Sequence, residues 1–161
     1  MRRVNALLRH PAFTETLSEL EALEGERIFC RHGLSHLLDV ARMMWIRALE
    51  QGLSLDKEVV YAAALLHDLG RVAQLRQGVP HEEAGAALAQ AILPECGYTE
   101  GEIAAISAAI LSHRGSVGGG PGSALGRLLY DADKKSRICW RCDAQRLCNW
   151  DAEKRNTGID C

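Results

Sequence analysis

The chain has 161 residues, 47% of them hydrophobic but only 5% aromatic, and a formal net charge of −2. That is enough apolar chain for one folded domain with an aliphatic core, and too much for a disordered segment. The near-neutral charge excludes a chain that is basic throughout and binds nucleic acid by bulk charge. No stretch approaches the roughly 20 apolar residues of a membrane span.

Met1-Arg2-Arg3 is positively charged, but the apolar residues that follow are interrupted by Arg9-His10-Pro11, too early for a signal-peptide core. A cytoplasmic location is therefore expected, and no membrane partner. Helical spacing of Phe13, Leu17 and Leu20 predicts an amphipathic helix over about residues 12–23, interrupted by Gly25. A second helix is predicted from about Ser35 to Gln51, with Leu37, Val40, Ala41, Met44 and Ala48 on one face and Gly52 as its stop. Ser54 is a candidate cap for a third, carrying Val59, Val60, Ala63 and Leu66 up to His67-Asp68 and ended by Gly70.

Pro80 suits the first-turn position of a fourth helix, which runs through Ala84, Leu88 and Ile92 to Pro94. Thr99 and Glu102 match a capping box for a fifth, ending near His113. Residues 114–123 contain five glycines and a proline and read as loop; they lack the strand and the Gly-Lys-Ser/Thr ending of a phosphate-binding loop. A sixth helix should start near Ser123 or Ala124 and pass through Asp133. No strand is predicted. The fold class read here is all-α, with residues 1–137 as the body and 138–161 as a short Cys-rich extension rather than a second domain.

Polar residues of one chemical kind recur along this helical pattern. They are His36, the pair His67-Asp68, His81, His113 and Asp133. Imidazole and carboxylate together suit Mn, Fe, Co, Ni or Zn, and water on such a metal becomes a nucleophile near neutral pH. His67-Asp68 follows the buried-type run Ala62-Ala63-Ala64-Leu65-Leu66 and precedes Leu69-Gly70-Arg71, so a core helix delivers two ligands at its end. A helix-end histidine taken alone is more often a polar surface group or a satisfied core residue. His10, beside Pro11, lies outside the pattern and is read that way.

His36 heads the segment His36-Leu37-Leu38-Asp39-Val40-Ala41, and the doublet follows about thirty residues later. His81 falls in His81-Glu82-Glu83-Ala84, His113 ends a helix, and Asp133 lies in Tyr130-Asp131-Ala132-Asp133-Lys134. In this order and context, about residues 27 to 137, the chain resembles the HD superfamily of metal-dependent phosphohydrolases. The resemblance implies an HD-domain helical bundle in which His36, His67, Asp68 and Asp133 hold a first divalent ion. It implies that His81 and His113 serve a second ion with Asp68 bridging, as in the two-metal branch. One or two ions (Mn, Fe, Ni, Co or Mg) are expected, with His67 and Asp68 at the catalytic centre. Asp133 is preferred to Asp131 on the Ala-Asp-Lys register, and the two cannot share a helix face.

Phosphoryl transfer at such a centre needs positioning and positive charge more than covalent catalysis. Arg71, three residues after Asp68, is the leading phosphate ligand and is grouped with the catalytic residues; Arg114, Lys134 and His32 are further candidates. A guanidinium grips phosphate at two points, an ammonium as a point charge. His32 lies four residues before His36 and shares its face if the helix extends back so far.

The last twenty or so residues are rich in Cys, Trp and charge. Cys139, Cys142 and Cys148 form C-x2-C-x5-C, and Cys161 is the last residue. Six cysteines in a reducing compartment read as thiols or ligands rather than disulfides. A structural zinc or an iron–sulfur cluster suits the set, with Cys161 or Cys30 as fourth ligand; unligated thiols are the plainer alternative. Lys134 to Asn156 also resembles the Cys-containing tail of a group of small bacterial HD proteins. Arg137, Arg141, Arg146, Lys154 and Arg155 interleaved with Trp140 and Trp150 read more readily as a salt-laced surface than as a nucleic-acid site.

The function expected is therefore metal-dependent hydrolysis of a phosphate ester or phosphoanhydride of a small molecule, a nucleotide first, by a metal-bound hydroxide. Two alternatives stand beside it: an iron-dependent HD-type oxygenase, and a regulatory or nucleic-acid-binding module with a structural cage.

Overall fold

The computed structural model describes residues 1–113 and 122–159. Its α-helices, in chain order, are α1 (Arg2–Arg9), α2 (Pro11–Leu23), α3 (Leu34–Glu50), α4 (Lys57–Leu66), α5 (Arg71–Gln77), α6 (His81–Ile92), α7 (Glu100–Ser112) and α8 (Ala124–Lys135). Two 3-10 turns, Cys139–Arg141 and Gln145–Leu147, follow in the tail. No strand occurs among the described residues, and the all-α class holds. No described helix is long and apolar enough to cross a membrane.

The axis of the bundle is α4. Val59, Val60, Ala62, Ala63, Ala64, Leu65 and Leu66 are all buried, so the helix is covered on every side. It packs against α1, α3, α6, α7 and α8. Three successive alanines let those neighbours approach closely, and Leu65, Leu66, Leu37, Ile110 and Leu129 fill the core between them. The polar residues at its C-terminal end are thereby delivered to the centre of the molecule.

The structure corrects several boundaries. Asp56, not Ser54, caps α4; its carboxylate accepts from the backbone N–H groups of Glu58 and Val59. Pro80 is the cap of α6 rather than its first residue, and His81 takes that place. Gly70 ends one helix but also begins α5, which stops at Gly78 with φ +73°. The capping box of Thr99 and Glu102 is present at the start of α7, and Ser123 caps α8. The glycine-rich stretch 114–121, with Arg114, lies outside the described residues, as does Cys161.

Helix α1 is held by charge more than by apolar burial, since only Val4 and Leu7 are buried. Arg3 donates from Nε to Glu58 (3.0 Å), from Nη1 to Glu102 (2.8 Å) and from Nη2 to Asp56 (3.0 Å). Its guanidinium also stacks 4.5 Å from the Tyr98 ring centre. Partial burial alone would raise the Glu58 carboxyl, but Arg3 outweighs it and holds the group down to about 2. A depressed carboxyl stabilises the fold above its unfolded value, about 4.3. That contribution fades as pH falls toward 2, because the unfolded chain takes up the proton first. Glu58→Gln should cost about 1–2 kcal/mol at pH 7, and urea unfolding across pH should show the deficit shrinking below about pH 4.

Candidate metal centre

Six side chains converge from five helix ends. His36 lies in the first turn of α3, His67 caps the C-terminus of α4 and Asp68 follows it. His81 is the first residue of α6, His113 caps the C-terminus of α7, and Asp133 lies in the last turn of α8. Asp131, two residues earlier on α8, is exposed on the other face.

The ligand atoms fall into two compact sets. His36, His67, Asp68 and Asp133 form the first; Asp68, His81 and His113 form the second. In the first, Asp68 Oδ2 lies 3.4 Å from His36 Nε2 and 3.0 Å from His67 Nε2. Asp133 Oδ1 lies 3.4 Å from His36 Nε2 and 3.7 Å from His67 Nε2. In the second, Asp68 Oδ1 lies 3.6 Å from His81 Nε2, which is 3.1 Å from His113 Nε2. The two oxygens of Asp68 thus face different sets.

Three of the four imidazoles, His36, His67 and His113, are oriented by a hydrogen bond through Nδ1. Nδ1–H of His67 donates to Ala64 O at 2.7 Å, and that of His113 to Ile110 O at 2.5 Å. His36 Nδ1 meets Ser136 Oγ at 3.3 Å, and His81 Nδ1 lies 3.3 Å from Glu82 Oε2. All four turn Nε2 toward the centre, and in His67 and His113 the backbone-bonded Nδ1 leaves that nitrogen as the one a metal would take. His67 Nε2 and Asp68 Oδ2 are buried without a hydrogen-bond partner. Inward-facing imidazole nitrogens and unsatisfied carboxylate oxygen in a buried centre fit divalent cations of the Mn, Fe, Co, Ni or Zn type.

Charge follows the same logic. Burial opposes ionisation of Asp68, but the charge of His67, hydrogen bonds with His36 and His67, and the charge of Arg71 hold its carboxyl well below the usual range. Burial likewise disfavours charged His67, yet Asp68 and Asp133 hold its pKa up near 10. Burial, with the charge on His67, pushes His113 down. His67 Nε2 holds a proton or a metal, not both.

Three further groups close on this centre. Arg71 Nε donates to Asp68 Oδ1 at 2.7 Å. Arg137 Nη2 lies 2.9 Å from His36 Nε2 and 3.2 Å from Asp133 Oδ1. His32 is buried; it is bonded through Nδ1 to Glu24 Oε1 at 2.6 Å, with Nε2 3.9 Å from Asp68 Oδ2. Its shift is downward from burial, against the pull of Glu24. His32, Arg71, Asp133 and Arg137 share a cavity of about 480 Å³. Lys134 is not among the residues lining it; its ammonium sits 3.2 Å from the Tyr130 ring centre.

Sequence reasoning missed Arg137 and Glu24 as parts of this centre. Arg137 stands four residues after Asp133, just past the end of α8, and that spacing is a legible signal. Glu24 reaches His32 across the bend between α2 and α3, and no local pattern announces it.

A family model for the HD domain matches residues 33–138. The chain belongs to the HD-domain family. It is 38% identical over 159 residues to a protein of Clostridium beijerinckii described as uncharacterized, with 99% of each chain covered. It is also similar to the crystal structure of a predicted HD superfamily hydrolase from an uncultured Thermotogales bacterium. That likeness has a TM-score of 0.64 and 29% identity, covering 96% of this chain and 87% of the other. In this HD domain the doublet that names the family is His67-Asp68, at the end of the central helix.

Proposed function

We propose that this HD-domain protein is a metal-dependent phosphohydrolase of a phosphorylated small molecule, a nucleotide first. The observation that carries the reading is Asp68, with one oxygen toward each of two ligand sets. His36, His67, Asp68 and Asp133 would hold one ion, and His81 and His113 with Asp68 the other. When bound, such ions supply positive charge for phosphoryl oxygens and a water of lowered pKa.

The chain's own groups do the rest. Arg71 and Arg137 flank the cage at the cavity and offer guanidinium forks to a phosphate. Phe29 and Trp150 line the same cavity with Arg155, which suits a flat ring joined to an anion. His32, held neutral by burial and oriented by Glu24, keeps Nε2 free to take a proton beside the cage and return it to a leaving oxygen.

The test is phosphate release from a panel of nucleotides and simple phosphate esters, by protein loaded in turn with Mn, Fe, Co, Ni or Mg. Release that requires metal supports the reading. No release with any metal, or consumption of dioxygen in place of release, defeats it. Glu24→Gln should lower turnover about 10- to 100-fold, as loss of an orienting partner does, while metal content per chain stays at the wild-type value.

A further inference from the structure

The tail after α8 has little apolar support. From residue 138 to 159 only Cys139 and Ala144 are buried, while Ile138, Leu147 and Ile159 stay 59%, 69% and 84% exposed. Two short 3-10 turns and a few polar tethers make up its structure; Asn156 Nδ2, for instance, donates to Arg137 O at 2.7 Å. Ordering such a segment costs more conformational entropy than this burial returns, which is the usual setting for a metal staple.

The thiols supply the means. Cys30, from the loop between α2 and α3, lines the 480 Å³ cavity together with Cys139, Cys142 and Cys148. Cys30, Cys139 and Cys142 also line a neighbouring recess of about 420 Å³, so these thiols stand on the wall between the two. All four are free thiols.

Zinc and an iron–sulfur cluster ask for different spacings of their sulfurs. Zinc bonds of about 2.3 Å put tetrahedral sulfurs about 3.8 Å apart. Among the described residues, the ligand sets lying within 4.8 Å of one another are the two of histidine and carboxylate, and the cysteines form no such set. A cubane of iron and sulfide, ligated at four corners, takes thiolates spaced more widely. Arg27, Arg137 and Arg155 line the same cavity and would offset the negative charge of a thiolate-ligated cluster.

We infer that Cys30, Cys139, Cys142 and Cys148 hold a four-iron iron–sulfur cluster beside the histidine–aspartate cage. The cluster ties the tail to the loop after α2. It also fixes Arg137, two residues before Cys139, against His36 and Asp133. The thiols line the same cavity that the proposed function gives to the substrate, but the iron and sulfide readout below does not depend on hydrolysis.

The test is iron and acid-labile sulfide in full-length protein purified without oxygen and reconstituted with ferrous iron and sulfide. About four sulfides per chain are expected, with brown absorbance and a paramagnetic resonance signal on reduction. Because the cage can bind iron but not sulfide, Asp68→Ala should lose cage metal and keep the sulfide. Cys30→Ser and Cys142→Ser should lose it, and Cys96→Ser, altered in the hydrophobic core, should keep it. Stoichiometric zinc without sulfide, no metal at the thiols, or full sulfide in Cys30→Ser overturns the assignment. The wild-type measurements do not depend on whether any variant folds.

Discussion

Asp68→Ala is expected to empty both ligand sets at once and to reduce metal-dependent phosphate release by more than about 100-fold, beyond the loss typical of an outer-shell partner. The reason is geometric. Oδ2 of Asp68 stands against His36 and His67, and Oδ1 stands toward His81, so a single carboxylate belongs to both sets. His81→Ala offers the contrast. It touches the second set alone, and metal analysis should find the ion at His36, His67, Asp68 and Asp133 retained. Asp68→Asn keeps the volume but loses the charge, and should resemble Asp68→Ala in metal content. If Asp68→Ala retains wild-type metal at both sets, the shared carboxylate is not the organising element and the proposed chemistry goes with it.

The second large effect is expected at a residue that carries no chemistry. A Cβ on Gly70 would lie 2.0 Å from His81 O and 2.5 Å from Gly85 N. These are backbone atoms of α6, so no rotamer change relieves the clash. Gly85 answers from the other side, where its own Cβ position is 3.3 Å from Leu66 O. The turn after α4 and the first turns of α6 approach as bare backbones, which is how His67, Asp68 and His81 meet. Gly70→Ala should destabilise by about 3 kcal/mol or more, an upper-range overpacking cost, and lower Tm by about 10 °C. Protein that still folds should lose metal from the set containing His81, because α6 must shift. Urea unfolding within about 0.5 kcal/mol of wild type, the range of an ordinary surface change, would show the approach to be looser than described.

These two cases show why the centre could be read in the chain while its neighbours could not. His36, His67-Asp68, His81, His113 and Asp133 each stand at the end or first turn of a segment with helical period, and residue type with period is local information. The capping box at Thr99 and Glu102 is local too. Helices α1 and α5 escaped notice because neither has an apolar stripe long enough to declare itself. The first depends on Arg3 reaching carboxylates on α4, on α7 and before α4, some 53 to 99 residues away. The second begins at a glycine that looks like an ending.

What the sequence by itself determined is the all-helical class, the central apolar helix and the ligand types carried at helix ends. These follow from hydrophobic period and side-chain chemistry, which act over a few turns. Tertiary structure alone decided which oxygen of Asp68 faces each ligand set and that Glu24 orients His32. It also decided that Arg137 enters the centre, and it set Cys30, one of two candidates to accompany the tail thiols, on the cavity that they line. Each of those outcomes depends on which helix ends meet around α4, and that is settled by close packing of side chains from distant parts of the chain.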